Sequence, residues 1–305
     1  MALHIETPLL NSRALSLHSE RAVWLKLEAL QPPGSFKIRG IGLACEEYAR
    51  RGARRFISSS GGNAGIAVAY AGRQLGIPVV VVVPETTSER ARALIVQEGA
   101  EVIVHGAAWQ EANALAQAML TPQDAFLHPF DDPLLWQGHA GMIDEVARAG
   151  VKPDAVVLSV GGGGLLAGVA EGLQRNGWDD VALVAVETEG AASLAAAVAA
   201  REHVALPAVS SIATSLAARQ VCAQAFAVSQ ARLLHSVVVS DRQAVAACQR
   251  FIDDHRLVVE PACGAALAAV YGQVPQLAPY ASVLVIVCGG VTATTRQLDH
   301  WSATL

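Results

Sequence analysis

Mostly parallel β-sheets covered by helices are what this chain predicts, an α/β fold class, on three observations. Short β-rich runs alternate with alanine-rich helical stretches almost throughout. The runs at 79–83 and 283–287 are apolar at every position, as strands buried on both faces are. The glycine-rich turns each follow a predicted strand, and sheets of this kind hold ligands beyond the carboxyl ends of their strands. Those turns therefore mark one functional edge.

Taken in order, residues 55–58 read as a strand that leads into a glycine turn and a helix over 64–75, stopped by Gly76. The valine run 79–83 is the next strand, and the helix over 88–98 has Ser and Thr capping candidates before it. A short strand at 102–104 and a helix at 109–119 follow. The pattern resumes with strand 155–160, helix 165–175, strand 182–186 and an alanine-rich helix over 191–200. The last units are strand 236–239, helices 241–254 and 263–271, and strand 283–287. No repeat, coiled coil or low-complexity tail appears.

The 305 residues suffice for two domains or one large one, and 52% hydrophobic against 16% charged residues places the chain with compact globular proteins. A net charge of −5 offers no basic footprint for nucleic acid and no polybasic segment for a membrane. The apolar runs are far shorter than the roughly 20 residues that span a bilayer. Nothing at the N-terminus resembles a signal peptide. Five cysteines, at 45, 222, 248, 263 and 288, include no CxxC pair, which argues for reduced thiols in a cytoplasm.

Four places carry chemistry. Lys37, in Pro33-Gly34-Ser35-Phe36-Lys37-Ile38-Arg39-Gly40, lies between two large apolar side chains after a Pro-Pro-Gly turn. It is either a Schiff-base lysine, whose amine is freed by desolvation, or a surface lysine at a helix start. Ser58-Ser59-Ser60-Gly61-Gly62-Asn63-Ala64-Gly65 supplies backbone amides, hydroxyls and a helix N-terminus suited to a carboxylate; the plain alternative is a strand-to-helix turn. The run Gly161-Gly162-Gly163-Gly164 suits an amide nest around a phosphate. A dinucleotide fingerprint would space its glycines, yet Glu187 stands at the distance of its ribose-binding acid, so a nicotinamide oxidoreductase stays open. Cys288-Gly289-Gly290 follows the last strand, where a buried cysteine is as readily packing as chemistry.

Together these residues closely resemble the fold-type II pyridoxal-phosphate enzymes, and among them the L-serine/L-threonine dehydratases. The resemblance runs from Thr7-Pro8 to the last strand. It includes Gly34 to Gly40, Pro129-Phe130-Asp131-Asp132-Pro133, Ser159 to Gly164, Val259-Glu260-Pro261-Ala262-Cys263-Gly264-Ala265-Ala266 and Val287-Cys288-Gly289-Gly290. Cysteine at 288, where many relatives carry serine, points to the animal-type L-serine dehydratase branch.

That resemblance implies a two-domain fold like the tryptophan synthase β-subunit. A small domain (32–131) is inserted into a large one (1–31 and 132–305), and the cofactor pyridoxal 5′-phosphate sits in the cleft. Lys37 would carry the cofactor as a Schiff base and Phe36 would cover one ring face. Gly161, Gly162, Gly163 and Gly164 would bind the phosphate, Cys288 would face the pyridine nitrogen, and Asn63 would contact the ring 3′-oxygen. Ser60 with the amides of Gly61, Gly62 and Asn63 would grip the substrate carboxylate. Gly161, Glu187, Ala191, Leu216 and Ala218 match positions that hold a monovalent cation, potassium in the family. The implied reaction eliminates water from L-serine or L-threonine, with Lys37 as base, giving pyruvate or 2-oxobutanoate and ammonia in a cytoplasmic homodimer.

Some positions depart from the pattern. Gly61 replaces the usual alanine, or the serine that acts as second base in serine racemase, which argues against racemisation. Val291-Thr292 and Thr214-Ser215 also differ. No regulatory domain is expected after Leu305. His128, His139 and His235 read as structural or exposed, and Asp131-Asp132 as a hinge turn before Pro133. A cysteine synthase-like β-replacement enzyme, a D-serine dehydratase and a catalytically silent binding protein remain the other readings.

Overall fold

The computed structural model describes residues 2–305. The chain opens with β1 (Leu9–Asn11), α1 (Arg13–Ser19), β2 (Ala22–Lys26) and α2 (Lys37–Arg50). Then come β3 (Arg55–Ser58), α3 (Asn63–Leu75), β4 (Val79–Val83), α4 (Glu89–Gln97), β5 (Glu101–Val104), α5 (Trp109–Ala118) and β6 (Asp124–Leu127). After α6 (Pro133–Arg148) follow β7 (Ala155–Ser159), α7 (Gly164–Arg175), β8 (Ala182–Thr188), α8 (Ser193–Ala200), α9 (Ala223–Ala231) and β9 (Leu234–Val239). The chain ends with α10 (Asp241–His255), α11 (Pro261–Tyr271), β10 (Ser282–Ile286) and α12 (Thr295–Thr304).

Two sheets result. One has six strands in the order β1-β2-β10-β7-β8-β9, parallel except for the antiparallel β1–β2 pair; the other has four parallel strands, β5-β4-β3-β6. The predicted α/β class with helix-covered parallel sheets is what forms. The valine run of β4 shows why: Val79, Val81 and Val83 enter the core on one face with Phe56 and Ile95, while Val80 and Val82 pack on the other with Ile57, Ala112 and Ala116. A strand apolar at every position is a strand with two covered faces. Ser88, which the sequence reading counted as the first residue of the helix, instead caps α4 by accepting the Ala91 amide.

The sequence pattern left β1, α1, β2, α2, β6, α6, α9 and α12 unassigned. In α2 and α6 the obstacle is glycine. A β-carbon on Gly40 would fall 2.5 Å from the Leu135 carbonyl oxygen, and one on Gly138 would fall 2.4 Å from that of Arg39. These glycines let two helices cross at close range, so residues that weaken a helix in isolation strengthen it in place.

A buried ion network anchors the start of α2. Arg39 donates from Nε (2.7 Å) and Nη2 (2.8 Å) to Glu28, and from Nη1 and Nη2 (2.7 Å each) to Glu145. Lys26 donates to Glu145 and to the Thr7 carbonyl. Two cations and two carboxylates thus balance within the interior and tie the helix bearing Lys37 to β2 and α6.

Candidate active site

Lys37 is the first residue of α2, and the turn before it is stitched to the segment after β10. Ser35 and Gly289 form an isolated antiparallel bridge, the Phe36 amide donates to the Cys288 carbonyl (3.1 Å), and the Gly290 amide to the Gly34 carbonyl (2.9 Å). Gly34, Gly289 and Gly290 have φ of +80°, +96° and +114°, which only glycine adopts without strain. This stitching brings Lys37 to Cys288 across 251 positions of sequence. The Lys37 ammonium donates to the Pro129 carbonyl at 2.5 Å and lies 5.2 Å from the Phe36 ring centre. Burial lowers its pKa to about 8, against the opposing pull of Cys288, Glu260 and Cys222. An ordinary solvated surface lysine is excluded.

The four glycines lie between β7 and α7, and each is required for its own reason. A β-carbon on Gly161 would lie 2.9 Å from Leu216 Cα, and one on Gly162 would enter the Phe130 ring at 2.2 Å. Gly163 has φ +88° and faces Ala225, and Gly164 abuts the Phe130 carbonyl. Among the described residues, none of the four amides donates to another backbone group, although the Gly162 carbonyl accepts the Cys222 amide (2.9 Å). Uncommitted amides at the N-terminus of a twelve-residue helix fit an anion such as a phosphate.

The loop 58–63 joins β3 to α3. Ser58 and Ser59 turn inward, to the Leu127 carbonyl and to Asn113, while Ser60, Gly61 and Gly62 are partly exposed. Asn63 crosses to the six-stranded side: its Nδ2 donates to Glu260 Oε1 (2.8 Å) and approaches Ser215 Oγ (3.3 Å), and its Oδ1 accepts the Val291 amide (3.3 Å). Glu260 also accepts from Thr292 (2.8 Å). Burial pushes the Glu260 carboxyl up, against the hydroxyls and amide around it and the charge of Lys37.

Cys288 is buried, and the hydrogen bond its thiol makes to Cys263 together with burial holds it well above the usual range, hence neutral. His139 packs against Phe36 with ring centres 4.8 Å apart; it is fully buried and neutral. His128 Nδ1 accepts the Phe130 and Asp131 amides, and His235 bonds Tyr280. Asp132 caps α6 and accepts from Tyr48. Among the described residues no group of three or more His, Cys, Asp or Glu is arranged for a metal.

Glu187 is the penultimate residue of β8 and lies near Gly161, since the Val160 amide donates to the Val186 carbonyl (2.9 Å). Its carboxylate accepts the Leu194 and Ala195 amides at the start of α8 and is wholly buried, and desolvation raises its pKa to about 7. Those bonds leave it no reach to a ribose, which removes the sequence-level case for a dinucleotide enzyme. Gly161 meets Leu216, the Ala218 amide donates to Leu216 (2.7 Å), and the Ala191 amide donates to Thr188 (3.0 Å), so the five positions gather around two adjacent strand ends. Neither Glu187 nor Glu260 forms an ion pair among the described residues.

Glu260, Thr292, Ser215 and Phe130 carry no role in the sequence reading, yet all line this edge. Glu260 left one signal: it is a lone acid within Val258-Val259-Glu260-Pro261-Ala262-Cys263-Gly264-Ala265-Ala266-Leu267, directly before a helix-starting proline.

The family model described as "Pyridoxal-phosphate dependent enzyme" matches residues 2–289. The chain is 48% identical over 307 residues to a human L-serine dehydratase/L-threonine deaminase, with 97% of this chain and 94% of that protein covered. It is 49% identical over 307 residues to a human serine dehydratase-like protein, with coverage of 97% and 93%. A crystal structure of a fungal L-serine ammonia-lyase from Rhizomucor miehei superimposes with a TM-score of 0.94 at 35% identity, over 99% of both chains.

Proposed function

This chain belongs to the family of pyridoxal-phosphate dependent enzymes, and from that premise we propose that it is an L-serine/L-threonine ammonia-lyase. It eliminates water from L-serine, and hydrolysis of the released product, which takes a water back, gives pyruvate and ammonia; L-threonine gives 2-oxobutanoate and ammonia in the same way. The observation that carries this reading is the amine of Lys37, which burial brings to a pKa of about 8, held at the Pro129 carbonyl and close to the neutral thiol of Cys288.

Pyridoxal phosphate, when bound, supplies an aldehyde for that amine and a conjugated ring that acidifies the substrate α-carbon. The donor set fits it. The amides of Gly161, Gly162, Gly163 and Gly164 would hold the phosphate with the N-terminus of α7 behind them, and Phe36 would cover one face of the ring. The neutral thiol of Cys288 would face the ring nitrogen without delivering a full proton, which would favour elimination over chemistry that needs a strong electron sink. Asn63 would contact the ring 3′-oxygen.

Ser60 and the amides of Gly61, Gly62 and Asn63 orient the substrate carboxylate. Lys37 Nζ takes the α-proton, and a group within reach whose pKa is about 8 is matched to that work. No hydroxyl stands at Gly61, so Lys37 is the sole base at that carbon and racemisation is disfavoured.

The segment 32–131 is the smaller, moving unit, and its closure brings the loop 60–63 onto the substrate. Glu187, a buried carboxylate without a cationic side chain, together with Gly161, Ala191, Leu216 and Ala218, fits a monovalent cation, and we assign potassium. Five free, buried cysteines agree with a reduced cytoplasmic protein, and we expect a homodimer. No helix among the described residues is long and apolar enough to cross a membrane.

The purified protein with pyridoxal phosphate is expected to show the absorption band of a lysine-bound cofactor, and Lys37→Ala to lose both the band and pyruvate release from L-serine. Absence of the band in the parent protein overturns the assignment. Pyruvate release without any added nucleophile separates dehydration from β-replacement.

A further inference from the structure

Glu260 has no part in the chemistry above, yet it is built into the site at some expense. It is 5% exposed, lacks a cationic partner, and the backbone of Gly290 lies so close that a β-carbon there would fall 2.1 Å from its carboxyl carbon. An acidic group held this way is costly unless its hydrogen bonds do something specific. Both oxygens are committed: Oε2 to Thr292 (2.8 Å), and Oε1 to the Asn63 side chain (2.8 Å).

Asn63 is where the substrate loop would need a fastening. The loop glycines add little anchorage: Gly62 has nothing within 4 Å of a β-carbon position, and the nearest atoms to that of Gly61 belong to the Thr87 side chain. Asn63 ends the loop, opens α3, and has its amide clamped at both atoms. Every partner, Glu260, Ser215 and Val291, comes from the six-stranded side. Of these bonds, only the one to Glu260 is both short and charge-assisted.

We propose that Glu260 is a positioning residue, a latch that grips Asn63 and so holds the loop 60–63 in place over the substrate carboxylate. Thr292 keeps the latch aimed. This rests on the reading that the loop receives that carboxylate. The latch acts on substrate affinity, because it sets where the loop amides stand and takes no part in proton transfer at the α-carbon.

The test uses the holoenzyme and three variants, Glu260→Ala, Glu260→Gln and Thr292→Val, with kcat and KM for L-serine and amide hydrogen exchange across the chain. Glu260→Ala is expected to raise KM about tenfold, the worth of one charge-assisted hydrogen bond. Its kcat should change less, and exchange should quicken in residues 59–66 while β7 and β8 stay as protected as before. Glu260→Gln keeps an acceptor oxygen for Asn63 and should recover most of the affinity. Thr292→Val should raise KM about threefold.

Unchanged KM and unchanged exchange at 59–66 in Glu260→Ala overturn the latch, and so does faster exchange spread evenly through both sheets. If Glu260→Ala does not fold, Thr292→Val decides by the same two readings. Failure of the functional assignment is separable: it appears in the parent protein as a missing cofactor band, whereas the exchange pattern still judges the latch.

Discussion

Two strand–turn–helix junctions meet around Ser215 and are built on opposite principles. At 161–164 every glycine is forced by a neighbour: the Leu216 backbone, the Phe130 ring, a left-handed φ, and the Phe130 carbonyl. At 60–63 the glycines stand in open space or against one threonine side chain, and position comes from Asn63 at the end. The first is a rigid cradle completed by packing, suited to a permanent tenant. The second is a sparse loop fastened at one point, suited to a ligand that enters and leaves at each turnover.

Alanine at Gly162 should break the contrast most severely. Its β-carbon would enter the Phe130 ring at 2.2 Å, so Gly162→Ala is expected to lower stability by about 1–3 kcal/mol. It should also weaken cofactor binding at least tenfold, read by thermal melting and by titration of the apoprotein. Adding Phe130→Ala should return part of the cofactor affinity, which would locate the damage at that contact.

Reconstitution at different pH sharpens the comparison by separating phosphate capture from lysine capture. Lys37 titrates at about 8, below its ordinary 10.5, so the free amine accumulates as pH rises and is nearly complete above about 9. The rate of covalent capture of pyridoxal phosphate should rise up to about tenfold per pH unit below 8 and then level off. A rate still climbing at pH 10 would place Lys37 among ordinary lysines.

The smallest effect belongs to Gly62→Ala. With nothing within 4 Å of the new methyl and φ −112°, the melting temperature should stay within about 2 °C and cofactor affinity should not change. A change as large as that of Gly162→Ala would show that the two junctions are not built differently.

Strands that are apolar at every position, such as β4 and β10, were legible because burial on two faces leaves no room for polar residues. The helices α2 and α6 were not, because Gly40 and Gly138 are justified only by the helix each one meets. In the site, Lys37, the glycine run, the loop to Asn63 and Cys288 stand out as local anomalies of composition. Glu260 is harder to see: a single acid among apolar residues reveals its partners only when three distant segments converge on it.

By itself, then, the sequence determined the α/β class and the edge at which the turns gather, and it marked Lys37 as the candidate for the chemistry, because these rest on periodicity and residue type within a few positions. Only the tertiary structure decided that Lys37 is desolvated, that Glu187 is committed to the start of α8, and that Asn63 is fastened by Glu260. Desolvation and long-range hydrogen bonds depend on which segments the fold brings together, and no local pattern encodes that.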